Sequence, residues 1–204
     1  QTCALPILMA FSASAAQFSD GTQYVTLDKP VTGEPQVLEF FSFYCGPCYQ
    51  FADTYRVGST VAQALPAGEK VTKYHVSLMG KLGNELTEAW AVATVLGVED
   101  KIEGAMFDAV QKQRAVNGAD DIQRVFTAAG IDAATYENAR HSLLVKGLIA
   151  KQNEAVKAFE VRGTPSFYVA GKYKIDNAGM ASTSVEGYAK EYAAVVRHLL
   201  DTQP

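Results

Sequence analysis

Cysteine is scarce in this sequence, with three residues among 204, and two of them lie close together. A secreted scaffold held by disulfides needs several bridges, and a bridge across two intervening residues closes too small a loop to add much stability. The sequence also lacks the second cysteine pair or histidine pair that would complete a tetrahedral zinc site. Cys45 and Cys48 therefore favour a reactive pair over a structural bridge or a metal site.

The sequence has no excess of basic residues. Its 18 lysines and arginines are outnumbered by 22 acidic residues, which gives a formal net charge of −4. A basic face that would neutralise phosphates is therefore not expected, and neither nucleic acid nor an anionic membrane surface is a predicted partner. The 48% hydrophobic content is enough for one substantial core, or for one core with a helical insertion.

The N-terminal segment is typical of the end of a secretory signal. Residues 4–11 are mostly apolar but too few to span a bilayer, and Ala13 and Ala15 fit the A-x-A cleavage pattern. We interpret residues 1–15 as a signal-peptide remnant, and cleavage there would remove Cys3. The alternative is an ordinary apolar N-terminal arm.

The segment around the cysteine pair has the pattern of a strand-helix-strand unit. Residues 36–41 form an almost continuous apolar run and predict a buried central strand. Apolar periodicity predicts one helix over residues 48–65, with Cys45 at its N-terminal edge, and residues 71–76 alternate as a second strand. A strand-helix-strand order implies that the two strands are parallel.

Residues 80–160 change character, because strand patterns give way to helical periodicity. The predicted helices cover residues 82–96, 101–113, 120–129 and 134–159. Asp120 and Asp132 are N-cap residue types, and Gly97 and Gly130 stand where helix ends are expected.

Strand patterns return after this helical block. Residues 166–169 and 172–175 predict a hairpin, and residues 184–200 predict a final amphipathic helix. We therefore expect a discontinuous first domain, residues 16–79 and 161–204, interrupted by a helical insertion at 80–160.

The motifs resemble those of a known family. A Cys-x-x-Cys after a buried strand, with Gly163-Thr164-Pro165 before a later strand, is the arrangement of the thioredoxin superfamily. QVLEFFSF ahead of Cys45, TKYHV at residues 72–76, LGVEDK at residues 96–101 and the helical insertion make the chain similar to the DsbA family. The resemblance implies an α/β thioredoxin fold with an inserted helical domain, and a periplasmic thiol:disulfide oxidoreductase that places disulfides into exported proteins.

The chemistry expected at the motif follows from helix geometry. A helix N-terminus has free N–H groups and a partial positive charge that stabilise a thiolate, so Cys45 is the predicted reactive sulfur. Cys48 lies one turn further in and suits the resolving role. These two residues form the predicted redox-active disulfide, with no cofactor and no metal ion.

Further site residues are implied by the resemblance. Pro165 is expected to be cis and to lie against the disulfide, with Thr164 beside it in the substrate-binding loop. Glu39, an unusual carboxylate in an apolar strand, is expected to pair with Lys73 beneath the motif and to influence proton handling; a purely structural ion pair is the alternative. His75 is assigned no role, as a lone strand histidine is more often a satisfied core residue.

The chain departs from the family pattern at the substrate-contacting positions. Gly46-Pro47 stands between the cysteines where family members commonly have Pro-His, and Thr164 stands where valine is more familiar. Gly46-Pro47 is associated with thioredoxin, so a reductase or isomerase is an alternative function, and a chaperone-like binding module is another. The expected partners are reduced, unfolded exported proteins and a quinone-linked membrane oxidase of the DsbB type, and the chain is expected to act as a monomer.

Overall fold

A five-stranded mixed sheet organises the described part of the chain. The computed structural model describes residues 18–202, so the predicted signal segment 1–15 lies outside the described residues. The strand order is β1-β5-β4-β2-β3. The strands are β1 (Tyr24–Thr26), β2 (Val37–Phe41), β3 (Val71–His75), β4 (Ser166–Val169) and β5 (Tyr173–Ile175). β2 and β3 are parallel, as predicted, and the other neighbouring pairs are antiparallel.

Helices precede and follow β3 and also end the described chain. They are α1 (Gly46–Asp53), α2 (Val57–Ala64), α3 (Gly83–Leu96), α4 (Glu99–Phe107), α5 (Ala119–Ala128), α6 (Ala133–Arg140), α7 (Leu143–Ala158) and α8 (Val185–Asp201). Helices α3 to α7 lie between β3 and β4, where the helical block was predicted, although the exact domain boundaries stay a prediction. Across residues 18–202, none of the helices has the length and apolarity needed to cross a bilayer.

The interior strand β2, between β4 and β3, is covered on both faces. Val37 packs on one face with α1, α2 and α8, whereas Leu38 and Phe40 pack on the other face with α7. Phe41 joins a third apolar cluster, which contains both cysteines and the core of the helical block. Burial on both faces explains why the strand reads as a nearly continuous apolar run.

The prediction of one continuous helix over residues 48–65 is wrong. The segment is two helices, and Arg56 between them has a left-handed φ of 54°. The break lets Phe51 of α1 and Val57 and Val61 of α2 pack into one apolar cluster. The first helix also begins earlier than predicted, at Gly46, because a proline is compatible with the first turn of a helix.

The helix predicted over residues 134–159 is also two helices. Ser142 ends the continuity, because its side chain accepts a hydrogen bond from the Val145 N–H at 3.2 Å and so caps α7. The predicted cap at Asp132 is confirmed, since its carboxylate accepts the Thr135 N–H at 2.9 Å. The predicted cap at Asp120 is wrong: Gly118 is the N-cap residue of α5, and its N–H donates to Asp121 at 3.1 Å.

Two further features were not predicted. The helix expected over residues 101–113 is α-helical only in α4 and continues as a π-helical turn, Asp108–Lys112. Strand β1 was missed because it is three residues long, largely exposed, and hydrogen-bonded to β5 at the sheet edge. A sequence pattern of three residues is too short to show strand alternation.

Candidate active site

The cysteine pair forms a disulfide at the N-terminus of α1. The Cα atoms of Cys45 and Cys48 are 5.2 Å apart. Cys45 is the N-cap residue, and its Sγ accepts a hydrogen bond from the Cys48 N–H at 3.1 Å. Gly46 and Pro47 occupy the first helical turn between them and are exposed. A sulfur in this position accepts a hydrogen bond from a free helix N–H and lies at the positive end of the helix dipole.

The two sulfurs differ less in accessibility than the sequence suggested. Cys45 is 3% exposed and Cys48 is fully buried, so Cys45 is the more accessible but is not an open surface group. The loop carrying Thr164 limits its exposure, as the Thr164 carbonyl oxygen lies 3.3 Å from the Cys45 Sγ.

The loop before β4 lies against the disulfide, as the resemblance implied. The Thr164-Pro165 peptide bond is cis. Asn177 holds the loop from the far side, because its Nδ2 donates to the Pro165 carbonyl at 2.8 Å. A cavity of about 460 Å³ opens beside this loop, lined in part by Gly163, Thr164 and Pro165.

Glu39 and Lys73 meet beneath this region, in register on the parallel strands β2 and β3. Lys73 Nζ is 3.1 Å from Glu39 Oε2, and the Glu39 side chain is 2% exposed. Burial raises the pKa of Glu39 to about 7 although Lys73 opposes the shift. Burial also disfavours the ammonium of Lys73, but the neighbouring carboxylates outweigh it and raise the Lys73 pKa.

Glu103 of α4 is a third member of this cluster and was not predicted. Its carboxylate accepts a hydrogen bond from Lys73 Nζ. Lys73 also lies over the Phe41 ring, 4.8 Å from the centroid. In the sequence, Glu103 is one of several charged residues on an amphipathic helix, and no local pattern distinguishes it.

His75 is part of a buried network that supports the turn into the cysteine motif. Its Nε2 accepts the Phe43 N–H at 3.1 Å, and its Nδ1 is 2.8 Å from Thr87 Oγ1, which donates to the Gly83 carbonyl. The Gln152 side-chain oxygen accepts the backbone N–H of His75 at 2.8 Å. Burial lowers the pKa of His75 to about 3, so the imidazole is neutral at physiological pH. The expectation of a satisfied core residue is consistent with these contacts.

A second unpredicted residue holds the same turn from the helical block. Gln111, in the π-helical turn, donates from Nε2 to the carbonyls of Phe43 and Cys45, at 2.8 and 3.0 Å. π-Helical turns often mark functional sites, because the extra residue reorients side chains. The only sequence signal was a polar residue on a helix, which does not indicate such a contact.

The aromatic residues around the motif mostly fill the core. Phe43 is fully buried and Phe51 is 9% exposed. Tyr49 is partly buried and stacks on Phe107 with ring centroids 5.1 Å apart. Its hydroxyl donates to Asp108 of the π-helical turn, which further joins α1 to the helical block.

Comparison with known proteins places these features in one family. The family model described as a DSBA-like thioredoxin domain matches residues 36–193. DsbA thiol:disulfide interchange proteins from Dickeya dadantii and Yersinia pestis are each 55% identical over 194 residues, 95% of this chain and 94% of theirs. The Salmonella typhimurium DsbA is 52% identical over 96% of this chain and 94% of its own length.

Solved structures agree with this assignment. The disulfide oxidoreductase DsbA from Proteus mirabilis aligns with a TM-score of 0.89 and 46% identity, over 93% of this chain and all of that one. A cysteine-to-serine variant of the same protein, solved with the non-covalently bound peptide PWATCDS, also aligns with a TM-score of 0.89, at 45% identity and over 92% of this chain and all of that one. The chain therefore belongs to the DsbA family of thioredoxin-fold thiol:disulfide oxidoreductases.

Proposed function

We propose that this protein oxidises cysteine pairs of unfolded exported proteins in the periplasm, with Cys45 as the sulfur that exchanges with substrate. The observation that carries the proposal is the position of the Cys45 Sγ at the α1 N-cap, where it accepts the Cys48 N–H. This environment stabilises the thiolate released on reduction more than it stabilises the disulfide. A stabilised reduced form makes the disulfide a stronger oxidant.

The exchange proceeds in two displacements. A substrate thiolate attacks the Cys45 Sγ, so a substrate–Cys45 disulfide forms and the Cys45–Cys48 bond breaks. Cys48 leaves as a thiolate and takes up a proton, because a buried sulfur is costly as an anion. A second substrate thiolate then attacks the substrate sulfur of the mixed disulfide and releases the Cys45 thiolate, so the substrate is oxidised and the protein is reduced.

Glu39 and Lys73 serve the proton transfers of this cycle. A carboxyl with a pKa of about 7 can both release and accept a proton near neutral pH. The cluster lies next to α1, because Glu39 of β2 and Phe51 of α1 line one cavity. Lys73 keeps the ionised form of Glu39 accessible by direct charge pairing.

The surface around the disulfide binds an extended polypeptide. The exposed Gly46-Pro47 turn and the Thr164-Pro165 loop flank Cys45 and supply backbone groups to such a chain. The peptide bound by the Proteus mirabilis relative contains a cysteine, which supports a substrate of this class. A quinone-linked membrane oxidase of the DsbB type then reoxidises the dithiol, and the protein acts as a monomer.

A reductase is the second candidate, and the dipeptide favours it. Gly46 has no side chain and Pro47 has no N–H, so neither adds a donor to the Cys45 sulfur. Equilibration of the disulfide with glutathione separates the two directions of exchange. A strongly oxidising disulfide is reduced by the small amount of reduced glutathione even when oxidised glutathione is in large excess, whereas a reductase stays oxidised under the same conditions.

Cysteine variants test the assignment of the two sulfurs. In Cys48→Ala the free Cys45 thiolate attacks the disulfide of an oxidised substrate and releases one substrate thiolate, and the substrate–Cys45 disulfide should accumulate because Cys48 is no longer there to displace the substrate. Cys45→Ser should abolish transfer. Non-reducing electrophoresis measures trapping with an oxidised unfolded substrate and transfer with a reduced one, and a Cys45→Ala protein is the control. Equally efficient trapping through Cys48 in that control would overturn the assignment.

A further inference from the structure

Lys73 divides its contacts unequally between two carboxylates. It donates a hydrogen bond to Glu103 on α4, whereas its contact with Glu39 is an ion pair at 3.1 Å. The Glu39 Oε2 is buried and has no hydrogen-bond partner among residues 18–202. A buried carboxylate oxygen with an ion pair but no hydrogen bond is incompletely compensated, so its other surroundings matter.

A cavity connects the two carboxylates. It has a volume of about 300 Å³ and is lined by Glu39, Lys73 and Glu103, with Asp100 and Ser59 among its other polar residues. A polar cavity of this size has room for several water molecules. The Glu39 side chain is 2% exposed and the Glu103 side chain 24%, so the cavity leads from a buried carboxyl toward solvent.

We propose that Glu103 is a positioning residue that holds Lys73 between two carboxylates and, through the cavity, controls the protonation of Glu39 by solvent. This inference rests on the proposed role of Glu39 in proton transfer. A residue of the helical block would then take a direct part in the proton transfers of Glu39 and Lys73 on the sheet. Protons enter and leave through a water-filled cavity that is lined by Glu39, Glu103 and the exposed Asp100.

The charges around Glu39 determine the sign of the effect. Lys73 faces it from β3, Glu103 and Asp100 from α4, and Tyr192 from α8. The negative charge of Glu103 raises the pKa of Glu39, and Glu103 also takes the hydrogen bond of Lys73. Removing that charge should lower the pKa of Glu39, because a like charge is lost and the charge of Lys73 then pairs with Glu39 alone.

Glu103→Gln is the variant that tests this inference. The amide oxygen still accepts the Lys73 hydrogen bond, so Lys73 keeps its place while the negative charge is lost. We expect the titration midpoint of the Glu39 carboxyl, followed by carbon-13 NMR of the oxidised protein, to fall by about 1 pH unit. The pH at half-maximal exchange rate should fall by a similar amount.

Three controls keep the result specific. Asp100→Asn removes a charge from the same cavity without touching Lys73, and should leave both midpoints within about 0.3 pH unit of the wild type. Glu103→Asp keeps the negative charge and should leave the Glu39 midpoint close to that of the wild type. In a Glu39→Gln background, Glu103→Gln should no longer move the exchange profile, because its effect acts through Glu39.

The outcomes separate this inference from the proposed function. A Glu39 midpoint that is unchanged in Glu103→Gln, or moved equally by Asp100→Asn, overturns the role of Glu103. An exchange profile that does not respond to Glu39→Gln overturns the kinetic role of Glu39, and the NMR titration still decides whether Glu103 sets its protonation. Far-ultraviolet circular dichroism of each variant shows whether the fold is retained.

Discussion

Two buried polar clusters lie two residues apart on β3, and they are built in opposite ways. In the carboxylate cluster of Glu39, Lys73 and Glu103, an oxygen of Glu39 has no hydrogen bond within residues 18–202 and faces a cavity. In the histidine network of His75, Thr87 and Gln152, both ring nitrogens of His75 have partners. The carboxylate cluster borders the cavity that we propose carries protons to Glu39, whereas hydrogen bonds close the histidine network.

The difference teaches how burial acts on an acid and on a base. Burial raises the pKa of Glu39 toward neutral pH and lowers that of His75 far below it. Glu39 therefore titrates near neutral pH, while His75 stays neutral and accepts the Phe43 backbone N–H. The two clusters should also affect stability with opposite dependence on pH.

The largest expected effect is the loss of stability in acid caused by His75. Its folded pKa of about 3 lies below the unfolded value of 6.5, so stability is present above pH 6.5 and is lost as the pH falls toward 3. At about 1.4 kcal/mol per pH unit, the loss is about 4–5 kcal/mol by pH 3. Guanidinium unfolding from pH 7 to 3 should show a much shallower loss in His75→Gln.

The control for this effect is an exposed histidine. His141 has a side chain that is 71% exposed, and His141→Gln should reproduce the acid profile of the wild type. A steep acid loss that persists unchanged in His75→Gln would show that the histidine network does not differ from the carboxylate cluster in the way described.

The next effect belongs to Glu39 and has the opposite sign. Its folded pKa of about 7 lies above the unfolded value of 4.5, so stability is full below pH 4.5 and is lost as the pH rises through 7. Relative to Glu39→Gln, the wild type should lose about 3 kcal/mol between pH 4.5 and pH 8. Urea unfolding at the two pH values measures the difference.

Two further variants sharpen this result. Glu186, in an exposed ion pair with Lys190, gives the control Glu186→Gln, for which no comparable change is expected. Lys73→Met combined with Glu39→Gln should not give the sum of the single effects, because the two groups are in contact. Additive effects on stability and on the exchange profile would mean that the carboxylate cluster does not act as a unit.

The smallest effect concerns the dipeptide, which lies outside both clusters. Replacing Gly46 by Pro and Pro47 by His adds a donor close to the Cys45 sulfur, and no atom within 4 Å obstructs a Cβ at position 46. One charge-assisted interaction of roughly 1.5–3 kcal/mol raises the potential by roughly 30–60 mV. The Cys45 thiol should also become more acidic.

Glutathione equilibration and thiolate absorbance measure the two consequences of the dipeptide change. The titration midpoints of Glu39 and His75 should stay where they are, since the new side chain reaches neither cluster. An unchanged or more reducing potential would show that the dipeptide does not set the redox balance of this protein.

Much of the site could be predicted because its signals are local. The buried strand, the Cys-x-x-Cys at a helix start and the Gly-Thr-Pro loop each occupy a few adjacent residues, and Glu39 stands out in an apolar run. The helix breaks at Arg56 and Ser142 could not be predicted in the same way. Apolar periodicity continues across both, and the packing of Phe51 and Val57 into one cluster decides the first break.

The sequence by itself determined the fold class, the redox pair and its place at a helix N-terminus, since these depend on periodicity and on spacing between neighbours. Only the tertiary structure decided which distant side chains support that pair. Gln111 is hydrogen-bonded to Phe43, which lies 68 residues away in the sequence. The corresponding separations are 77 residues for Gln152 and His75 and 30 residues for Glu103 and Lys73. Such contacts depend on how the helical block packs against the sheet, and this packing leaves no local pattern in the chain.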